Sequence, residues 1–339
     1  MTESLKPEFE SLRPKVNITP FAKYTWFVLA YNIFVVLWGV FLRASKSGDG
    51  CGMHWLTCHG EVLPTAPQFK TIIEFTHRMM SALDGLLMLI LLGLAIWIWY
   101  KNRDRSSRRT LISAAISFFF VLTEGAIGAG LVLTGNTAET LTAARPFWMS
   151  AHLINTFILL AFLTITARSA SGNPELKFRV AAKYIVGLIL GAGAIFVVGI
   201  SGSIAALSHM IFPSGTLTEG LAKDFSDTSH ILLRLRLLHP ITAILTSVFV
   251  IFLTGWLAKE RFGDNKVSRW SNVLAILILG QIAFGSLTLL TLAPIVMQLG
   301  HLMFADAIWI SYVMFIANFL ASENLPATRN DPGSNDYLA

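Results

Sequence analysis

The chain reads as an all-α membrane protein: eight transmembrane helices arranged as two pseudo-symmetric four-helix bundles. Three observations predict this. Of 339 residues, 54% are hydrophobic and only 14% charged, with a mean hydropathy of +0.62, far from the composition of a soluble domain. The apolar residues fall in runs of about 20, the length a helix needs to cross a bilayer. Leu122-Thr123-Glu124-Gly125-Ala126-Ile127-Gly128 also matches Leu279-Gly280-Gln281-Ile282-Ala283-Phe284-Gly285 at an offset of 157 residues. With four spans in each half, such a repeat runs parallel, about an axis along the membrane normal.

The expected spans are 24–43, 71–99, 110–134, 147–168, 183–203, 230–258, 270–292 and 296–320. Residues 1–23 are polar, and no small-residue cleavage site follows the first apolar run, so this segment reads as a tail rather than a cleaved signal. Lys101, Arg103, Arg105, Arg108 and Arg109 crowd one loop; Arg168, Lys177, Arg179 and Lys183 another; Lys259, Arg261, Lys266 and Arg269 a third. The alternate loops are sparse in cations, which places both termini in the cytoplasm. The layout is then a cytoplasmic tail 1–23, an N-terminal half 24–168, a cytoplasmic linker 169–182, a C-terminal half 183–320 and a cytoplasmic tail 321–339. The net charge of +6 follows the membrane topology and does not point to nucleic acid.

The second, fourth, sixth and eighth spans each carry a histidine six to ten residues inside: His77, His152, His239 and His301. At 1.5 Å per residue they lie about 9–15 Å below the outer boundary, all in one leaflet. His77 corresponds to His239 and His152 to His301. Facing helices of a bundle can offer two imidazoles to one haem iron, and the natural couples are His77 with His152 and His239 with His301. A metal cluster is a poorer fit, because the spans carry no cysteine and few carboxylates. His54, His59, His209 and His230 lie in or beside the outer loops, where a solvated histidine is the plainer reading.

Glu74 precedes His77 by three residues and shares its helix face. A carboxylate this close to lipid is costly and marks a functional candidate. Asp84, Glu124 and Asp306 also lie within spans, with an interhelical hydrogen bond as the simpler reading of Asp84. Gly125, Gly128 and Gly130 suit either close helix contact or room for a flat ligand. Cys51 and Cys58, the two cysteines, share one outer loop without zinc-site spacing. An oxidising face favours a disulfide between them, contributing about 2–3 kcal/mol in the chain-entropy picture. Redox exchange or attachment of substrate is an equal alternative to a structural staple. Arg43, Arg78, Arg145, Arg234 and Arg236 lie near the outer boundary. They are candidates for anionic groups such as propionates, Arg236 ahead of Arg234 because it stands three residues from His239, or they snorkel to the interface.

Gly39-x-x-x-Arg43, Ser47-Gly48, Cys51, Trp55, Cys58, Gly60 and Glu74-x-x-His77-Arg78 together resemble the signature region of haem A synthases. Gly202-Ser203-Ile204-Ala205-Ala206, Phe212-Pro213 and Leu233-Arg234-Leu235-Arg236-Leu237-Leu238-His239-Pro240 are similar to the fifth-to-sixth helix region of the same family. The resemblance covers about residues 24–320. It implies oxidation of a ring methyl of haem O to a formyl group, giving haem A for terminal oxidases. It further implies a resident haem B on His239 and His301, and a substrate site at His77, His152 and Glu74. A bacterial cell membrane, a haem O synthase and a terminal oxidase assembly factor as partners also follow from it, and it leaves room for a homo-oligomer. The chain departs from the family pattern in its Cys-Gly-Met-His-Trp-Leu-Thr-Cys loop, at Asp49, and at Glu124, where Gln is common. A di-haem cytochrome moving electrons between quinone and an outer partner would need the four histidines but neither Glu74 nor the cysteines. A transporter or chaperone would place its polar residues nearer midplane.

Overall fold

A computed structural model describes residues 19–137, 140–261 and 263–322. The expected cytoplasmic tails fall almost wholly outside the described residues. Among the described residues, eight helices are long and apolar enough to cross a bilayer: Pro20–Ala44, Phe69–Asn102, Arg105–Leu133, Arg145–Ala170, Ala182–Ile211, Ile231–Glu260, Asn265–Leu290 and Ile295–Ala321. No strand occurs among the described residues. We number these spans one to eight.

Several helices outrun the expected apolar runs, because a helix does not stop where hydrocarbon does. Span three begins five residues early, where Asp104 caps it by accepting the Ser107 N–H at 2.7 Å. That hydrogen bond also holds the Asp104 carboxyl below its ordinary range. Asp264 does the same for span seven, accepting from Lys266 and Val267. Span five runs eight residues past its expected end, and its extension buries Leu207 and Met210 against Leu232. The following loop holds a short amphipathic helix, Leu217–Phe225, capped by Thr216, whose hydroxyl accepts the Glu219 N–H. Span six is broken at Leu237 into Ile231–Arg236 and Leu238–Glu260. Pro240 lacks the N–H that would reach Arg236, which accounts for the break just before His239.

Spans one to four pack in a ring, each on the next and four back on one; spans five to eight do the same. Spans one, four, five and eight join the two rings. Span eight is the centre: 61% of its apolar window is buried, against 17–44% in the others. Its Trp309 indole donates to the Phe157 carbonyl at 2.6 Å and stacks on the Phe157 ring at 5.4 Å. Phe196 closes this aromatic knot edge-on. Lower down, Tyr312 donates to the Leu188 carbonyl at 2.8 Å, and Gly191 lets it approach. A Cβ at Gly191 would lie 2.1 Å from the Tyr312 hydroxyl oxygen and 2.9 Å from Leu253 Cδ2.

Gly191→Val should therefore displace Tyr312 and cost ~1–3 kcal/mol of stability through overpacking. Thermal unfolding of the detergent-solubilised protein measures this, and an unchanged midpoint would show that span eight is not locked to span five at Tyr312.

Candidate functional site

His77, His152, His239 and His301 are the ninth, eighth, ninth and seventh residues of spans beginning at Phe69, Arg145, Ile231 and Ile295. All four enter from the end of the bundle that carries the Cys51–Cys58 loop, and all four are half-buried. In the C-terminal half the His239 and His301 rings face each other with centroids 6.2 Å apart and planes at 90°. Two metal–imidazole bonds of about 2 Å each, plus the two ring radii, fill about that span. Ser201 Oγ lies 3.2 Å from His239 Nδ1, which leaves Nε2 of that ring for a ligand. Gln281 Nε2 lies 3.4 Å from His301 Nε2, and His301 Nδ1 is buried with no partner.

Three of the four rings lie against glycine. A Cβ would meet the His77 ring at 3.1 Å from Gly39, the His239 ring at 2.9 Å from Gly202, and the His301 ring at 2.7 Å from Gly285. The adjoining helix thus makes room for each imidazole by omitting a side chain. Gly39 and Gly202 are 163 residues apart and their histidines 162, so the two seats recur with the repeat, although nothing local marks either glycine as a seat.

His152 breaks the pattern. Gly128, the counterpart of Gly285, has nothing within 4 Å of its Cβ position. The His152 ring instead approaches Glu124, with Nδ1 2.9 Å from Oε1. That is an ion-pair distance, although the Nδ1–H direction misses good hydrogen-bond geometry. Glu124 is held by Asn155 Nδ2 at 2.5 Å and by the Thr156 hydroxyl. His77 lies within electrostatic range of His152, Glu124 and Arg78. Of the three glycines singled out above, Gly130 serves close packing, since its Cβ would strike Trp148 at 2.4 Å. Gly125 and Gly128 border open space.

Glu74 is buried at 3% exposure, and it fastens the cysteine loop to span two. Its Oε2 accepts the Cys51 N–H at 2.8 Å, and its Oε1 accepts from Arg78. Arg78 Nη1 donates to the His54 and Thr57 carbonyls, each at 2.7 Å. Cys51 and Cys58 are bridged and fully buried. Thr71 and His59 hold the Gly50 carbonyl at 2.8 and 2.9 Å. A Cβ at Gly50 would lie 2.3 Å from the Lys70 carbonyl oxygen, so only glycine lets the loop sit this close to span two. Met53, Leu56, Val62 and Leu63 stand exposed around it.

The remaining candidates divide. Arg236 is engaged by Asp224 and Arg234 by the Asp227 carbonyl, both within the 212–230 loop. Arg145 is buried and donates to the Thr140 carbonyl. Arg43 lies within its electrostatic range. Asp84 accepts from Asn32 Nδ2 at 2.7 Å, the interhelical bond expected of it. His54, His59 and His230 are exposed, and none of the four lesser histidines joins the central set. Among the described residues no group of three or more His, Cys, Asp or Glu forms a metal cluster.

The profile of the COX15-CtaA family, described as cytochrome oxidase assembly protein, matches residues 22–313. Over 299 residues the chain is 38% identical to a protein of Thermus thermophilus named protoheme IX farnesyltransferase, covering 88% of this chain and 48% of that protein. The chain therefore spans about half the length of that relative. It is 30% identical to the heme A synthase of Alkalihalophilus pseudofirmus over 75% of this chain and 82% of the relative. With the Symbiobacterium thermophilum heme A synthase it shares 27% identity, over 85% and 92%. Matched from its first span into its eighth, with the histidines and the cysteine loop inside the match, the chain belongs to the COX15-CtaA family of cytochrome oxidase assembly proteins, the family of the haem A synthases.

Proposed function

We propose that this chain is a haem A synthase, an oxidoreductase that takes a ring methyl of haem O to a formyl group for use in terminal oxidases. The observation that carries the reading is the facing pair His239 and His301, spaced for one iron between them, within a chain whose relatives are named heme A synthase. Removing hydride or electrons from a methyl group is beyond any side chain, and a bound haem supplies that redox chemistry.

The residues fit such a group. Buried ring nitrogens without partners, at His77 and His301, are costly unless something occupies the site. The glycine seats hold three rings close against the adjoining helices. His239 and His301 are the ligands for a resident haem B. His77 and His152 hold the substrate, haem O, in the N-terminal half. Arg43 and Arg145 sit in each other's field near the cysteine-loop end. Two guanidiniums in a poor dielectric are stabilised by an anion, so they suit a propionate. Arg78 and Arg236 are propionate candidates only by sharing donors already given to Glu74 and Asp224.

Glu74 is the acid–base group at the edge of the substrate. Each of its oxygens keeps a second lone pair beyond the bonds from Cys51 and Arg78. Its place is thus set while it remains able to take a proton. The bridged loop covers this site. The layout is two four-helix halves in a bacterial cell membrane, both termini cytoplasmic, with the cysteine loop outside. The Thermus relative's name points to a farnesyltransferase, a haem O synthase, as the partner that supplies the substrate, and a terminal oxidase assembly factor is the partner that takes the product.

The mass of pigment extracted from the purified protein tests this reading. Haem B together with haem O or haem A is expected, and a preparation without haem would end it. Glu74→Ala should keep haem B and stop haem A production; undiminished haem A would take Glu74 out of the mechanism. His239→Ala should lose resident haem B. Arg78→Ala should speed amide exchange across residues 50–61 by about tenfold or more, as the loop opens locally; unchanged protection there would mean that the disulfide and the bonds from Glu74 and Thr71 hold the loop without Arg78.

A further inference from the structure

The two halves repeat the same four-helix plan, so each is a control for the other. Around His301 the C-terminal half places Gln281, Phe304 and Ala305, and Phe304 packs where Gly280 leaves room, 3.2 Å from its Cβ position. The matching N-terminal positions are Glu124, Asn155, Thr156 and Thr123. All four are polar, and they form one network. Thr123 donates to Asn155 Oδ1 at 2.7 Å, Asn155 donates to Glu124 Oε2, and Thr156 donates to Glu124 Oε1. A packed aromatic contact in one half has become a cradle for a carboxylate in the other. That carboxylate lies 2.9 Å from His152 Nδ1, and the ring has left the glycine seat that His301 keeps.

A carboxylate on one imidazole nitrogen fixes the tautomer, aims the other nitrogen outward and strengthens it as a donor. A stronger axial donor stabilises oxidised iron over reduced iron. We propose that Glu124 is the positioning residue of the N-terminal site. It makes His152 a more anionic ligand than any histidine of the C-terminal site and sets the N-terminal iron at the lower reduction potential. At the matching Nδ1 positions of the C-terminal site, His239 meets only a neutral hydroxyl, Ser201, and His301 Nδ1 meets no partner, Gln281 lying instead at its Nε2. The offset therefore comes from one residue in one half. This rests on the haem-ligand reading of the four histidines.

The test uses the full chain in detergent, loaded with iron protoporphyrin IX and titrated by spectroelectrochemistry. Two components are expected, and His152→Ala identifies the N-terminal one by abolishing it. In Glu124→Gln that component should rise in midpoint while the other stays, and Glu124→Asp, which keeps the carboxylate, should restore most of the shift. Midpoints that do not move in Glu124→Gln overturn the proposal, as does a Glu124→Asp shift as large. A second measurement needs no Glu124 variant. Electron paramagnetic resonance of the oxidised, loaded wild type should give two low-spin signals, the one lost in His152→Ala having the narrower spread of g values. Equal spreads would overturn the proposal. Failure to bind any porphyrin would instead sink the haem reading itself, so the two failures are distinct.

Discussion

Hydrocarbon offers no hydrogen bonds, and that constraint orders the whole structure. Every polar ring or carboxylate brought into the bundle must be met by protein or by an occupant. Asp84 is met by Asn32, Trp309 by a carbonyl of span four, and Tyr312 by a carbonyl of span five. These are closed contacts between helices, and they account for polar residues with no chemistry to perform. The histidines are different. His77 and His301 each keep a buried ring nitrogen unmet, and three of the four rings rest on backbone where a side chain has been omitted. Unmet atoms alone do not mark the site, since both carboxylate oxygens of Asp306 are also buried without a partner; the glycine seats that hold the rings in place are what set the histidines apart from the packed core.

The duplicated plan sharpens that distinction. Identical helices in both halves would give identical sites, and one cluster of the substitutions that break the symmetry gathers around His152. Glu124, Asn155 and Thr156 replace what in the other half is an amide, a phenyl ring and a methyl group. Asn and Thr can hold membrane helices together through hydrogen bonds of their own, but here those bonds converge on a single carboxylate. The exchange makes sense as a device that holds a carboxylate beside His152, where the C-terminal half has an amide at the matching position.

Much of this was legible in the sequence. Run length and charge distribution located all eight spans, because crossing a bilayer leaves few other solutions. Histidine spacing put His239 and His301 at matched depth, and the rings do face each other. What escaped was set by neighbours distant in sequence. The glycine seats of Gly39, Gly202 and Gly285 are ordinary glycines until the facing ring is seen. The helical extension to Ile211 lay beyond the apolar run that span prediction follows. Glu124 stood out only as a departure from a pattern, since nothing local ties it to a histidine 28 residues on. Arg236 looked free to meet an anion until Asp224, in a loop without periodicity, proved to hold it.

The cysteine loop shows how a short segment can be strained and still well placed. Leu56 adopts φ 75°, a left-handed conformation that an L side chain with a Cβ resists by about 1–2 kcal/mol. The two carbonyls that Arg78 grips, those of His54 and Thr57, flank this residue. The same guanidinium binds Glu74, and Glu74 binds the Cys51 amide. The strain at Leu56 is therefore offset by a charge that also fixes the catalytic candidate one turn from His77. A disulfide alone would close the loop but leave its orientation over span two undetermined. Arg78 supplies that orientation together with Glu74 and Thr71, which is why an arginine one residue past the histidine belongs to the site.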